Sequence, residues 1–468
     1  MKNHSKFWIT LFFTIFVYGC SVDKETSQYE KLVDYEGRYE YSNPKSLVLA
    51  ASNFDTTLYA IIDDAQYPLK YISQDTFQTP QKSPLVFIRN DSKEVISYLT
   101  DGKTFNLLTK NIEKQEWFPK KELHGKAEAY QYQIPIQKND GLQVGDIKST
   151  FSDSETIINM VKETIKGEFR DVHSILIWKD GRLVLEEYFY GYTVDKPHQL
   201  RSASKSFIGT LVGISIDQGK IKDENELLLP LFKKEYNSFA NKDIRKEKIT
   251  IKDFLTYRHG MDCNDENPNT AGHEQKMMES SDWAKFTLDL PMTEEPGIKS
   301  SYCTGCAQTL GRMIEVVTKT PLVEYADKNL FAPMGIENYK WRFKPDTSSI
   351  STFNQMYLRP RDILKLAIMY LDSGKWQGKQ IVSSDWIRRT FEKDDVEFGY
   401  LWRHKYFDVD GKSYNSYLAT GNGGQKINIW PELNMITVFT GGNYNSYLYG
   451  KTTPPNEMIP NYILKAVK

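Results

Sequence analysis

The hydrophobic period changes several times along this chain. Between Tyr29 and about Leu108, short apolar runs with strand character recur: "GRYEY", "SLVLAAS", "TLYAIID", "LKYIS", "PLVFIRN", "EVISYLT" and "TFNLLT". Turn formers such as "NP", "ND" and "DG" separate them, so residues 29–112 are predicted to form a small antiparallel sheet or barrel. No titratable cluster stands out there. An accessory structural role is the plain reading, and a ligand-binding barrel the sharper one. Residues 113–150 turn charged and then polar, and "KNDGLQVGD" reads as a linker.

From Phe151 the texture shifts. "SETIINMVKETIKGE" has helical periodicity, and "HSILIWKDGRLVLEEYFYGY" reads as two strands joined at Asp180-Gly181. A mainly helical stretch runs from Ser202 to about Phe391. The β period then returns in "SYNSYLAT", "QKINIWP" and "NMITVFTGG". A sheet built from both ends of a domain over residues 151–468, with a helical insertion between, gathers distant segments at one cleft, where active sites form.

The first twenty residues read as an address. Lys2 and Lys6 precede the apolar run Phe7 to Tyr18, which is short for a membrane span but suits a secretory signal over residues 1–19. "VYGC" then resembles a bacterial lipobox, in which Cys20 is acylated, although Tyr18 is bulkier than usual at its position. A plain signal peptide with an incidental cysteine is the alternative. The lipobox reading makes the protein an exported, membrane-anchored lipoprotein with a short tether over residues 20–28. At 468 residues the chain has room for two or three domains, and 60 basic against 61 acidic residues disfavour a nucleic-acid binder. Cys263, Cys303 and Cys306 remain beyond Cys20, too few for a disulfide scaffold or a four-cysteine metal site. Cys303 and Cys306 form a C-x-x-C that no strand-to-helix redox context precedes.

"PHQLRSASKSFIGTLVGISIDQGK" puts Ser202 one helical turn ahead of Lys205 at the mouth of an apolar helix. Positions i and i+3 share a helix face, so the hydroxyl and the amine come within reach of each other. A serine at a helix N-terminus lies near the positive end of the dipole, and a desolvated lysine beside it favours the neutral, basic form. The plainer alternative is a serine cap with a solvated lysine. The tetrapeptide S-x-x-K alone does not decide, since it also occurs at Ser21 with Lys24 and at Ser42 with Lys45.

Further landmarks follow in order: "ITIKDFLTYRHGMD", "PGIKSSYCTGCAQTLGRMIEVVTKTPLVEYADKNLFAPMGI", "LRPRDILKLAIMYLDSGKWQGKQIVSSDWI" and "TGNGGQKINIWPELNMITVFTGG". With the hairpin and the Ser202 helix, these resemble the serine hydrolases related to class C β-lactamases and penicillin-binding proteins, from about Gly141 to Thr440. The resemblance implies an α+β fold: a β-lactamase-like antiparallel sheet flanked by helices, with a mainly helical insertion, preceded here by the small β domain. It implies that Ser202 is the nucleophile, Lys205 its proton acceptor and Tyr302 the proton shuttle to the leaving group. It also implies an oxyanion hole formed by the backbone N–H groups of Ser202 and Asn422, with Gly421 and Gly423 letting the strand edge approach the substrate.

Two departures bear on specificity. Thr304 stands where the family has a motif asparagine, and a hydroxyl donates one hydrogen bond where an amide donates two. Ala419-Thr420-Gly421 replaces Lys-Thr-Gly, which removes the cation that receives a substrate carboxylate. Arg201, Arg258 or Arg403 are the candidates to replace that charge. The resemblance also brings "MDC" and "YC" to opposite walls of one cleft, so Cys263 and Cys303 are expected to pair, with Cys306 as the alternative partner. His198 and His259 are expected to be packing or supporting residues. A phosphate-loop reading of "GNGGQ" has no lysine-serine ending to support it. No metal or cofactor is required. The expected function is hydrolysis of small-molecule or peptide esters or amides through an acyl-enzyme on Ser202. The alternatives are a penicillin-recognising D,D-peptidase or β-lactamase and, in another class, a catalytically silent ligand-binding receptor.

Overall fold

Alternating burial along short strands closes the N-terminal segment on itself. The computed structural model describes residues 27–41, 46–62, 65–343, 355–392 and 397–467. The predicted leader, Cys20 and the S-x-x-K copies at Ser21 and Ser42 lie outside the described residues, as does most of the loop from Phe343 to Gln355.

Eight strands, from Gly37–Glu40 to Lys103–Thr109, pair in sequence order as a closed antiparallel barrel, with the first strand bonded to the last at Arg38↔Thr109. Closure leaves no exposed edge. Tyr39, Leu49, Leu58, Phe77, Phe87 and Tyr98 fill its interior. Each predicted run is found as a strand, and Thr76–Gln78 adds one whose three residues are too few to show a period. A short helix, Gln28–Val33, precedes the barrel; a Ser27/Glu30 capping box starts it, and Leu32 packs into the barrel.

The second body is a seven-stranded antiparallel sheet in the order Arg182–Tyr188, Val172–Lys179, Met435–Gly441, Gln425–Trp430, Lys412–Gly421, Trp402–Val409, Phe398–Gly399. Early and late segments therefore meet at its centre, where Ile175 pairs with Phe439. Period-2 alternation sends Leu176, Trp178, Ile427 and Val438 to one face, under the helices Lys205–Asp217, Thr304–Thr318 and Pro360–Leu371. Ile175, Ile177, Trp430 and Phe439 face the other way, toward the helix Ser154–Lys166 and the C-terminal helices. The strand Trp402–Val409 was not among the predicted elements, because its run "RHKY" is polar and partly exposed.

Residues 113–150 are not a free linker. Ala127, Tyr130, Leu142 and Ile147 are buried. Backbone bonds Gly145 N–H to Leu183 O (3.0 Å) and Leu183 N–H to Gln143 O (2.8 Å) add the segment to the outer edge of the sheet. Tyr130 donates to Glu187, which also pairs with Lys120 at 2.6 Å. These apolar residues are too irregularly spaced to show a period, so their burial is legible only once the sheet edge is in place. Barrel and sheet also touch directly: Arg170 pairs with Asp55 at 2.6 Å, and Asn445 Nδ2 donates to Tyr67 Oη at 2.7 Å.

Candidate active site

The segment before Ser202 is pinned by sheet pairing. His198 and Gln199 pair with Leu358 and Tyr357, and Leu200 N–H donates to Met356 O at 2.9 Å. Arg201 then adopts φ 51°, a left-handed conformation that a side-chain-bearing residue holds only when its surroundings enforce it. Ser202 lies in a 3-10 turn, Arg201–Ser204, and Lys205 opens the α-helix Lys205–Asp217. The sequence pattern implied one α-helix through both; the tighter turn eclipses positions i and i+3 and brings the pair closer. Lys205 is 2% exposed, Ser202 is half-buried, and Lys205 Nζ donates to Ser202 Oγ at 2.7 Å.

The same nitrogen donates to Tyr302 Oη, also at 2.7 Å, although the two residues are 97 positions apart. Three features hold Tyr302. Its ring packs between Tyr257 (5.0 Å) and Phe398 (5.9 Å, stacked). Its carbonyl accepts from Asp265 N–H at 2.9 Å, and Ser301 N–H donates to Tyr257 O at 2.8 Å. Next to it, Cys303 forms a disulfide with Cys263, while Cys306 is free and buried. His259 supports the same stretch. Its Nδ1 accepts from Met261 N–H at 3.0 Å, so the proton sits on Nε2, which donates to the Ser301 carbonyl at 3.0 Å.

The third element is the end of the strand Lys412–Gly421. A side chain at Gly421 would put its Cβ 2.3 Å from the Leu200 carbonyl oxygen, so only glycine lets the strand edge lie against the turn that carries Ser202. Gly423 and Gly424 turn the chain at φ 99° and 92°. Asn422, half-buried between them and Gly421, exchanges two hydrogen bonds with Asn445: Nδ2 to Oδ1 at 2.6 Å, and Asn445 N–H to Oδ1 at 2.8 Å.

Thr304 differs from its expected role as a substrate contact. It is fully buried, its N–H donates to Asp265 at 2.6 Å, and its hydroxyl donates to Glu274 at 3.4 Å. Asp265 thus caps the helix Thr304–Thr318 from a loop 39 residues upstream, and Glu274 takes the hydroxyl donor that a substrate would use. Burial raises the carboxyls of Asp265 and Glu274 above their ordinary values, against the opposing pull of the Lys205 charge.

His198 precedes the Ser202 turn in the chain and is buried. Its Nδ1 donates to the Gln199 carbonyl at 3.0 Å, which leaves Nε2 to accept from His173 at 2.8 Å. Burial holds His198 and His259 each down to about 4. Ala419 packs in the same core as the helix Lys205–Asp217. Of the three arginines, Arg201 lies over the Tyr444 ring (4.5 Å), and Arg403 lies over Phe398 (4.7 Å) while pairing with Glu397 at 3.1 Å. The Arg258 backbone accepts from Gly297 N–H at 2.8 Å.

Tyr257, Phe398, Asp265, Glu274 and Asn445 were not singled out from sequence. No local signal marks them, because each meets the site through a contact with a segment far along the chain.

A serine, a buried lysine and a tyrosine on one hydrogen-bonded line, beside a glycine-edged strand of an antiparallel sheet, define a serine hydrolase of β-lactamase-like fold. The Beta-lactamase family model matches residues 164–432, more than half of the chain, and the chain belongs to that family. It is 24% identical over 228 residues to the 6-aminohexanoate-dimer hydrolase of Paenarthrobacter ureafaciens, a match covering 46% of this chain and 55% of that protein. The chain therefore spans about half the length of this curated relative. Among solved structures, the putative 6-aminohexanoate-dimer hydrolase from Bacillus anthracis superposes with TM-score 0.51 at 16% identity, covering 72% of this chain and 89% of that one. Simvastatin synthase from Aspergillus terreus gives 0.52 at 15%, covering 66% and 98%. At these identities the superpositions speak for the fold alone.

Proposed function

We propose that the protein cleaves ester or amide bonds of small-molecule or peptide substrates through an acyl-enzyme on Ser202. The observation that carries this reading is the bifurcated contact of Lys205 Nζ, 2.7 Å from both Ser202 Oγ and Tyr302 Oη. In the acylation step Ser202 Oγ attacks the substrate carbonyl carbon, and its proton passes to the Lys205 amine. The resulting oxyanion is received by the N–H groups of Ser202 and Asn422. Collapse breaks the bond to the leaving group, which takes a proton from Tyr302 Oη, and Tyr302 recovers one from Lys205. Water repeats the sequence on the acyl-enzyme and regenerates Ser202. Gly421, Asn422 and Gly423 form the substrate-facing strand edge in this reading.

The substrate is one without a carboxylate at the third motif, because Ala419 offers no charge there. We further propose export and a lipid anchor on Cys20. The Cys263–Cys303 disulfide fits an oxidising compartment, and among the described residues no helix is long and apolar enough to cross a membrane. A fluorophosphonate probe tests the catalytic reading: labelling that maps to Ser202 and is lost in Ser202→Ala supports it, and folded wild-type protein that does not label favours the silent receptor. Cys20→Ser tests the anchor, which requires the protein to leave the membrane fraction.

A further inference from the structure

The barrel is packed solid at one end and hollow at the other. Tyr35 and Phe87 each meet Phe77 edge to face and each other at a tilt at the filled end, and Leu32 of the leading helix joins their cluster. Elsewhere Leu47, Leu69 and Leu85 line a cavity of about 440 Å³, with Tyr98 as a further wall. An eight-stranded barrel is just wide enough either to be filled by side chains or to hold one small ligand, and this cavity is within the size range of small-molecule pockets. Its lining includes no lysine or arginine and does include the Asp101 carboxylate, with Gln81, Ser83 and Thr100 as further polar groups, so an anionic head group would find no cationic partner there.

The mouth of the cavity is turned to the hydrolase. Asn445, from the sheet domain, lines it and donates to Tyr67 Oη on its rim at 2.7 Å. The same Asn445 brackets the side chain of Asn422, whose backbone N–H is the candidate oxyanion donor. Three hydrogen bonds through Asn445 therefore connect the barrel rim to the turn that, in the proposed mechanism, receives the substrate carbonyl. Tyr302, which serves the leaving group, sits on a different segment, against Tyr257 and Phe398. Asn445 is thus the residue that both lines the cavity and holds the Asn422 turn, on a segment separate from the Tyr257, Phe398 and Tyr302 cluster.

We propose that the hollow end of the N-terminal barrel is an acyl-binding pocket that takes the uncharged, apolar tail of the substrate's acyl group. The pocket rests on the acyl-enzyme reading of Ser202 for its role, but its ligand binding is measurable without turnover. Each methylene seated in such a pocket is worth several-fold to tenfold or more in specificity, so chain-length preference is the readout.

The test uses the full chain. On p-nitrophenyl esters from acetate to decanoate, Leu69→Trp, which fills the cavity, and Gln81→Trp, at its exposed rim, are each expected to lower the decanoate-to-acetate ratio of kcat/KM by about tenfold or more. A ratio unchanged within about twofold in both variants overturns the proposal. If Leu69→Trp fails to fold, Gln81→Trp decides. If the wild type cleaves no ester, the hydrolytic reading has failed and the pocket is judged by binding alone. Saturable fluorescence of the neutral probe N-phenyl-1-naphthylamine on Ser202→Ala protein, displaced by methyl decanoate and weakened by Gln81→Trp, supports the pocket. No saturable binding, or binding indifferent to both, overturns it.

Discussion

Lys205 reaches Tyr302 across 97 residues of chain at 2.7 Å, the same distance that separates it from its helical neighbour Ser202. One nitrogen therefore bonds both the Ser202 hydroxyl and the Tyr302 phenol, and in the proposed mechanism the three groups act as a unit. Ser202→Ala, Lys205→Ala and Tyr302→Phe are each expected to lower activated-ester hydrolysis by about a hundredfold or more. Pairs of these substitutions should cost little more than one. Wild-type turnover in Ser202→Ala would refute the mechanism.

Gly421 has no room for a methyl group, because the Leu200 carbonyl oxygen occupies the space at 2.3 Å. In Gly421→Ala either the strand edge or the Ser202 turn must move. A misplacement of about 1 Å costs on the order of a hundredfold in rate. Steady-state kinetics beside a thermal melt separates this from unfolding: the expected outcome is lost kcat in protein that still melts cooperatively.

The Cys263–Cys303 bridge closes a loop of 40 residues beside Tyr302. In the chain-entropy model such a link stabilises by about 3–4 kcal/mol. Cys263→Ser and Cys303→Ser should each lower the melting temperature clearly, and should reduce kcat more than KM, since Tyr302 loses a neighbour that holds it in place. Peptide mapping without reductant that finds three free thiols would remove the basis of this expectation.

Burial holds His198 and His259 at about 4, below the ordinary value of 6.5, and pushes His173 down as well. The unfolded chain takes up these protons near pH 6.5 and the folded chain does not. Their contribution is therefore complete above about pH 6.5 and is lost as pH falls toward 4, at up to about 3 kcal/mol each for His198 and His259. Urea unfolding from pH 7 to pH 4 should show this slope. His259→Gln should flatten it, and an unchanged slope in the variant would contradict the assignment.

Ala419 leaves the third motif without a charge, and an unpaired carboxylate there would cost several kcal/mol. Short-chain esters should be hydrolysed, with nitrocefin turned over about a hundredfold less efficiently or not at all. Arg201, held over Tyr444, is the group that could reverse this. Nitrocefin turnover equal to that of the best ester would favour the β-lactamase alternative.

Much of this protein could be read from the chain. Period-2 runs bounded by turn residues located seven of the eight barrel strands, because alternation and turn chemistry are local properties. The Ser202–Lys205 pair was legible for the same reason: three residues of spacing put the two groups on one face whatever the rest of the molecule does. The flanking apolar helix is what distinguished this S-x-x-K from the copies at Ser21 and Ser42.

The rest was decided by tertiary structure. The packing of residues 113–150 on the sheet depends on an edge formed by Leu183, and the burial of Thr304 depends on Asp265 and Glu274 arriving from a separate loop. The clamp on Tyr302 needs Tyr257 and Phe398, and the tie between the barrel and the turn after Gly421 needs Tyr67, Asn445 and Asn422. A chain reveals which face a residue shares with its neighbours three or two positions away. It does not reveal which surface, tens or hundreds of residues distant, will be pressed against that face when the sheet draws its early and late strands together.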